Sequence, residues 1–126
     1  MTHIKELAKN AISVEISELI SLKERIDERF EKAVDTIYQS TGKLIIVGVG
    51  KSAHVANKIV ATLNSTGTPS QFLHAAEAIH GDLGVIQKND VVLCISNSGN
   101  YPEIVYLLPF LKDYFSKEKV EAVLIG

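Results

Sequence analysis

Apolar residues recur at helical spacing through the first third of the chain: Ile4, Leu7, Ala8, Ala11, Ile12, Ile16, Leu19 and Ile20, then Leu22, Ile26, Phe30, Ala33, Val34 and Ile37. Steps of three and four residues keep such positions on one side of a helix. Between the two sets stands Ser21-Leu22-Lys23-Glu24, the Ser-x-x-Glu pattern of a capping box, which predicts two helices broken near Ser21. From Lys43 the pattern changes. Short apolar runs predict strands over 44–48, 70–73, 90–95 and 120–125, and helical stretches fall over 52–65, near 76–80 and over 102–116. Runs such as Ile45-Ile46-Val47 and Val91-Val92-Leu93 are apolar on both faces, as parallel strands covered by helices on each side must be.

The expected fold is therefore α/β: a doubly wound parallel sheet with helices on both faces, preceded by N-terminal helices. We expect a single domain over 1–126, with a helical arm over 1–41 and an α/β part over 42–126. The arm has more apolar face than one sheet can cover, so subunit contact is expected of it. Pro109 falls inside the last predicted helix and predicts a kink or an early end there. The sequence closes at Gly126, just after the apolar run Val120 to Ile125, where another strand-to-helix turn should begin. That reads as a domain whose C-terminal part is missing, with an apolar sheet edge left bare.

Composition narrows the function classes. The 126 residues are 46% hydrophobic and 22% charged with a formal net charge of −2, as suits one globular domain. Lys and Arg are scattered among Asp and Glu, so the contiguous basic patch of a nucleic-acid binder is lacking, and no nucleic-acid partner is expected. Lys5, Glu6 and Lys9 interrupt the N-terminal apolar residues, which is not the pattern of a signal peptide or a membrane span. The single cysteine, Cys94, lies in an apolar strand and reads as a buried core residue, and a cytoplasmic location is expected.

The chemistry concentrates at two strand-to-helix turns. Val91-Val92-Leu93-Cys94-Ile95 runs into Ser96-Asn97-Ser98-Gly99-Asn100-Tyr101 ahead of the helix from Pro102, and Leu44-Ile45-Ile46-Val47 runs into Gly48-Val49-Gly50-Lys51-Ser52. At such a turn hydroxyls, backbone N–H groups and the positive end of a helix dipole converge, which makes a cradle for a phosphate monoester. In doubly wound sheets ligands bind where both turns fall, at the carboxyl ends of the strands. Two cradles and one Lys suit a ligand with a charged end and a reactive end, such as a sugar phosphate.

Competing readings are weaker. Gly48-Val49-Gly50-Lys51-Ser52-Ala53 fits the loose dinucleotide fingerprint, but that reading wants an acid at the end of the next strand, which here closes Phe72-Leu73-His74 with no acid until Glu77. The end of a phosphate loop is imitated by Gly50-Lys51-Ser52, yet its first glycine would fall on Ile45. Lys51 could polarise a carbonyl or pair with phosphate, or simply be solvated. Glu103 sits where a helix dipole favours any acid, and also five residues beyond Ser98, where it could exchange protons with a bound ligand. His74, Glu77, His80 and Asp82 hold metal-ligating groups at no recognised ligand spacing, so no required metal is expected.

Gly48-Val49-Gly50-Lys51-Ser52, Ser65-Thr66-Gly67-Thr68-Pro69, His74-Ala75-Ala76-Glu77-Ala78-Ile79-His80-Gly81-Asp82-Leu83-Gly84 and Ser96-Asn97-Ser98-Gly99, in this order, resemble the arabinose 5-phosphate isomerase family of sugar isomerase (SIS) domain proteins. The resemblance spans about Gly42 to Gly126, and the His74 to Gly84 block is its most specific part. It implies a flavodoxin-like SIS fold and interconversion of D-ribulose 5-phosphate and D-arabinose 5-phosphate, feeding Kdo and lipopolysaccharide or capsule synthesis, with no cofactor required. It implies catalytic roles for Lys51 and Glu103 and substrate contact by His80. Ser52, Ser96, Asn97 and Ser98 would form the phosphate cradle, Gly67 and Thr68 would touch substrate, and His74 would be a site of inhibitory zinc. A homo-oligomer, tetramer or dimer, is also implied.

Tyr101 departs from the Ser or Thr usual in SIS cradles. The family's other catalytic Glu and His would lie beyond residue 126, so the segment alone is expected to be inactive. A non-catalytic SIS module that senses a sugar phosphate, or an isomerase of a different phosphosugar, remains open beside this reading.

Overall fold

The computed structural model describes residues 3–96, 102–118 and 121–125. Helix α1 covers Ile4–Glu24 and α2 Glu28–Gln39; β1 is Leu44–Gly48, α3 Lys51–Ser65, β2 Ser70–His74 and α4 Ala75–Ile79. A 3₁₀ turn over Asp82–Val85 leads to β3, Val91–Ile95, followed by α5, Pro102–Glu118, and β4, Glu121–Ile125. The chain forms two compact units, residues 1–34 and 35–126.

In the first unit α1 runs straight through the Ser21 pattern to Glu24, so the predicted break lies further along. The reason is a better cap downstream. The Asp27 carboxylate accepts the Arg29 N–H at 3.0 Å, and Phe30 and Glu31 donate to the Asp27 carbonyl, which starts α2. The hydrogen-bonded Arg29 guanidinium holds the Asp27 carboxyl below its ordinary value. This cap is therefore complete above the unfolded carboxyl's pKa and is lost as pH falls through the folded one. No residue of α1 is buried, and Ile4, Leu7, Ile12, Ile16 and Leu19 are all more than half exposed.

The second unit is a four-stranded parallel sheet in the order β2-β1-β3-β4, which is the doubly wound α/β arrangement expected. Strand alternation sorts the core onto two faces. Ile45, Val47, Val92 and Cys94 point to one face, under Ala75 and Ala78 of α4 and Leu107 and Leu111 of α5. Leu44, Ile46, Val91 and Leu93 point to the other, against Ala56, Ile59, Val60 and Leu63 of α3 and Ile37 at the end of α2. Cys94 is buried as expected, and burial pushes its thiol up to about 11, so it stays protonated at neutral pH. Helix α5 continues past Pro109 to Glu118 rather than ending there. Val105, whose carbonyl loses its partner to the proline, is half exposed, so water can satisfy that oxygen.

Asp90 belongs to the turn before β3 rather than to the strand, and its side chain joins the amino ends of β1 and β3. Its carboxylate is 3% exposed and accepts from the Lys43 backbone N–H at 2.9 Å, from Lys43 Nζ at 2.6 Å and from the Gln87 N–H at 2.7 Å. Ser40 Oγ adds a bond to the Asn89 carbonyl at 3.0 Å and receives the Gly42 N–H at 3.1 Å. Gly42 is obligatory here, since a Cβ would lie 2.3 Å from the Asn89 carbonyl oxygen. Cutting one partner out of a buried pair is far costlier than the pair's net worth. Asp90→Ala should lose about 3–5 kcal/mol of stability in denaturant titration. Gly84→Ala, whose new Cβ would meet nothing within 4 Å, should be close to neutral.

Candidate functional site

The order of the sheet reverses between β1 and β3. After β1 the chain winds outward to β2; it then crosses back over β1 to reach β3 and β4. At such a switch point the two following turns diverge to opposite faces and leave a crevice at the carboxyl edge. Val47 lies beside Cys94 in the register, so the turns that begin at Gly48 and at Ser96 open next to each other. Gly48 in turn pairs with His74 at the end of β2.

The first turn is built by its glycines. Gly50 is the N-cap of α3 with φ 59° and ψ −131°, a conformation that costs an L side chain roughly 1–3 kcal/mol. No side chain caps this helix, which leaves its first N–H groups facing the crevice edge without a side-chain acceptor. Lys51 opens the helix and is exposed, Ser52 is half-buried behind it, and Ala53 is buried against the sheet. A 15-residue helix thus points its positive end, a hydroxyl and an ammonium toward the carboxyl edge. On the β3 side Ser96 is buried at 4% exposure. Asn97 and Ser98 lie outside the described residues, as does Tyr101. Glu103 is the second residue of α5.

His74 closes β2 and caps α4: its Nδ1 accepts the Ala76 N–H at 3.1 Å, and its ring meets Phe72 edge-on at 6.3 Å. A neutral imidazole with Nδ1 accepting carries its proton on Nε2, so ligation of zinc at Nε2 would require the other tautomer and the loss of this cap. Among the described residues no group of three His, Cys, Asp or Glu could hold a metal, and His74 by itself does not make a metal centre. His80 is the exposed C-cap of α4, about 7.5 Å of helix away from β2.

The structure thus brings Lys51, Ser52, His74 and Ser96 to one edge. It does not bring Gly67 and Thr68 there. They follow the C-terminus of α3, and Pro69 accepts the Leu44 N–H at 2.9 Å, which fixes that turn at the amino end of the sheet. The length of β2, roughly 13–17 Å, separates them from the switch point. Along α5 runs a shallow groove of about 710 Å³ lined by Pro102, Val105, Tyr106, Pro109 and Phe110. Among the described residues its lining offers no cation, which is not the chemistry of a phosphate site.

A model of the SIS domain matches residues 36–115. The chain belongs to the SIS domain family. Among curated relatives, the arabinose 5-phosphate isomerase KdsD of Pseudomonas aeruginosa is 52% identical over 105 residues, which are 83% of this chain and 32% of that protein. The arabinose 5-phosphate isomerase GutQ of Escherichia coli K12 is 45% identical over 105 residues, 83% of this chain and 33% of that protein. Among solved structures, E. coli CFT073 c3406 in complex with arabinose 5-phosphate superposes with a TM-score of 0.77 at 38% identity, covering 98% of this chain and 66% of that one. The chain spans about a third of the length of the curated relatives it matches.

Sequence reading found the two SIS turns but missed Gly48 as a contact residue. The signal was a glycine closing an otherwise apolar, mostly β-branched strand, a position where close helix approach is the usual reason for lacking a Cβ. Gly50→Ala should lower stability by about 1–3 kcal/mol, measured by thermal unfolding.

Proposed function

We propose that the chain is the phosphosugar-binding part of a sugar-phosphate isomerase that interconverts D-ribulose 5-phosphate and D-arabinose 5-phosphate. The observation that carries the reading is the juxtaposition of the turn over 48–52 with the turn at Ser96 at the switch point, with Lys51 at its mouth. Its support from relatives is the name of the two isomerases above and the structure bound to arabinose 5-phosphate.

In this reading the phosphate lies on the α3 N-terminus with Ser52, and with Ser96, Asn97 and Ser98 from the second turn. Phosphate binding is remote from the reacting carbons and orients them. A base removes the proton alpha to the carbonyl, an ene-diol forms, and a proton returns at the neighbouring carbon; electrons move only within the substrate, so no redox cofactor is needed. Lys51 steadies the developing enediolate oxygen. Glu103 and His80 assist proton transfer or ring opening, Gly67 and Thr68 contact substrate only if a second copy presents them, and His74 is the residue inhibitory zinc would compete for. The product feeds Kdo and lipopolysaccharide or capsule synthesis in the cytoplasm. No helix among the described residues is long and apolar enough to cross a bilayer. A homo-oligomer, dimer or tetramer, would cover the exposed apolar residues of α1.

The test is incubation of the full-length protein with D-ribulose 5-phosphate in D2O without added metal, followed by proton NMR. Arabinose 5-phosphate carrying deuterium at C2 is the expected product. Lys51→Ala should cut turnover by about 100-fold or more, as loss of a donor to a developing oxyanion does. Binding without conversion or exchange would instead identify a sensing module. Turnover of only another phosphosugar would move the substrate assignment.

A further inference from the structure

We propose that Gly48 and Val49 are positioning residues: together they set the height and direction of the first turn of α3, and through it the placement of Lys51 and Ser52. The proposal rests on the reading of this turn as the phosphosugar site, and adds two residues that no ligand need touch.

Gly48 is the buried last residue of β1. A Cβ built there would lie 3.0 Å from both the carbonyl carbon and oxygen of Ser52 and 3.1 Å from the Ala53 nitrogen, all backbone atoms. The first turn of α3 is therefore seated directly on the end of β1, closer than nearly all Cβ contacts allow. Ala53 and Ala56, 8% and 0% exposed, continue the close approach along the same helix. Val49 supplies the opposite constraint. Its half-buried side chain packs onto the core on the other face of the sheet, among residues of β1, β3, α4 and α5. One residue thus pins the turn to one face while its neighbour admits the helix on the other, and Gly50 at φ 59° joins the two directions. Lys51 and Ser52 follow with no slack between.

A methyl group at residue 48 cannot be accommodated by a flexible side chain, because its neighbours are backbone. The first turn of α3 must give by a few tenths of an ångström, carrying its N–H groups, Ser52 and Lys51 with it. Catalytic geometry is sensitive to shifts of this size. Val49→Ala loosens the same turn without any clash, and serves where Gly48→Ala does not fold.

The experiment compares Gly48→Ala, Val49→Ala and Leu63→Ala with wild type in the full-length protein, with D-arabinose 5-phosphate as substrate. Leu63 packs against the sheet near the far end of α3, so its truncation lowers Tm without reaching the turn. We expect kcat/KM to fall about 10-fold or more in Gly48→Ala and several-fold in Val49→Ala, with Leu63→Ala keeping wild-type kcat and KM despite its lower Tm. The amide ¹H–¹⁵N signals of Lys51, Ser52 and Ala53 should shift in both turn variants and not in Leu63→Ala. Wild-type kcat and KM in folded Gly48→Ala and Val49→Ala would overturn the proposal. If wild type itself turns over no substrate, the isomerase reading fails, and the amide signals alone decide: shifts at Lys51 to Ala53 uphold the positioning role, and unshifted signals overturn it.

Discussion

The buried Asp90 carboxylate at the amino end of the sheet is the constraint from which the site follows. Strands β1 and β3 are distant in sequence, and each could slide against the other without losing much apolar contact, because both are apolar on both faces. A slip of one residue would turn every side chain to the wrong face and would separate the two turns at the carboxyl edge. Asp90 prevents that by accepting the backbone N–H of Lys43, which stands immediately before β1, while Lys43 Nζ neutralises its charge. A carboxylate held by two backbone N–H groups and one ammonium has few alternative arrangements. Such a group contributes less to net stability than to choosing one register among several.

The two ends of the sheet use opposite chemistry. At the amino end the turns are closed by polar side chains: Lys43 pairs with Asp90, and Ser40 bonds the Asn89 carbonyl and the Gly42 N–H. At the carboxyl end of β1 the turn is shaped by glycines and an alanine, and α3 starts without a side-chain cap. Capping that helix internally would be worth about 1 kcal/mol to the fold. Leaving its N–H groups without a side-chain acceptor gives up that stability, which is what the proposed anion site would require. On the proposed reading, the polar anchor lies at one end of the strands and the ligand site at the other, as the geometry of doubly wound sheets favours.

Much of this was legible in the residues. Period and apolar runs are physical requirements of burial, so the strands, the helices, the two covered faces and the Ser/Gly turns could be read directly. What escaped were choices between competing local signals. Ser21 and Asp27 both offer a helix start, and Asp27 wins because Arg29 supplies it with a backbone and a side-chain donor. Asp90 looked like the first residue of a strand, since nothing local shows that its partner is Lys43, 47 residues earlier. Gly67 and Thr68 belong to the same sequence pattern as Lys51, yet a helix that runs antiparallel to the strands delivers them to the other end of the sheet. Family patterns record which residues matter and not where one copy of the chain puts them.

On the proposed reading a phosphate monoester lies at the switch point between the turns after β1 and β3. A crystal structure of the full-length protein with D-arabinose 5-phosphate tests it most directly. The phosphate is expected within hydrogen-bonding distance of the Ser52 hydroxyl and the first N–H groups of α3, with Ser96 on its other side. A phosphate seated at the amino end beside Lys43, or in the apolar groove along α5, would contradict it.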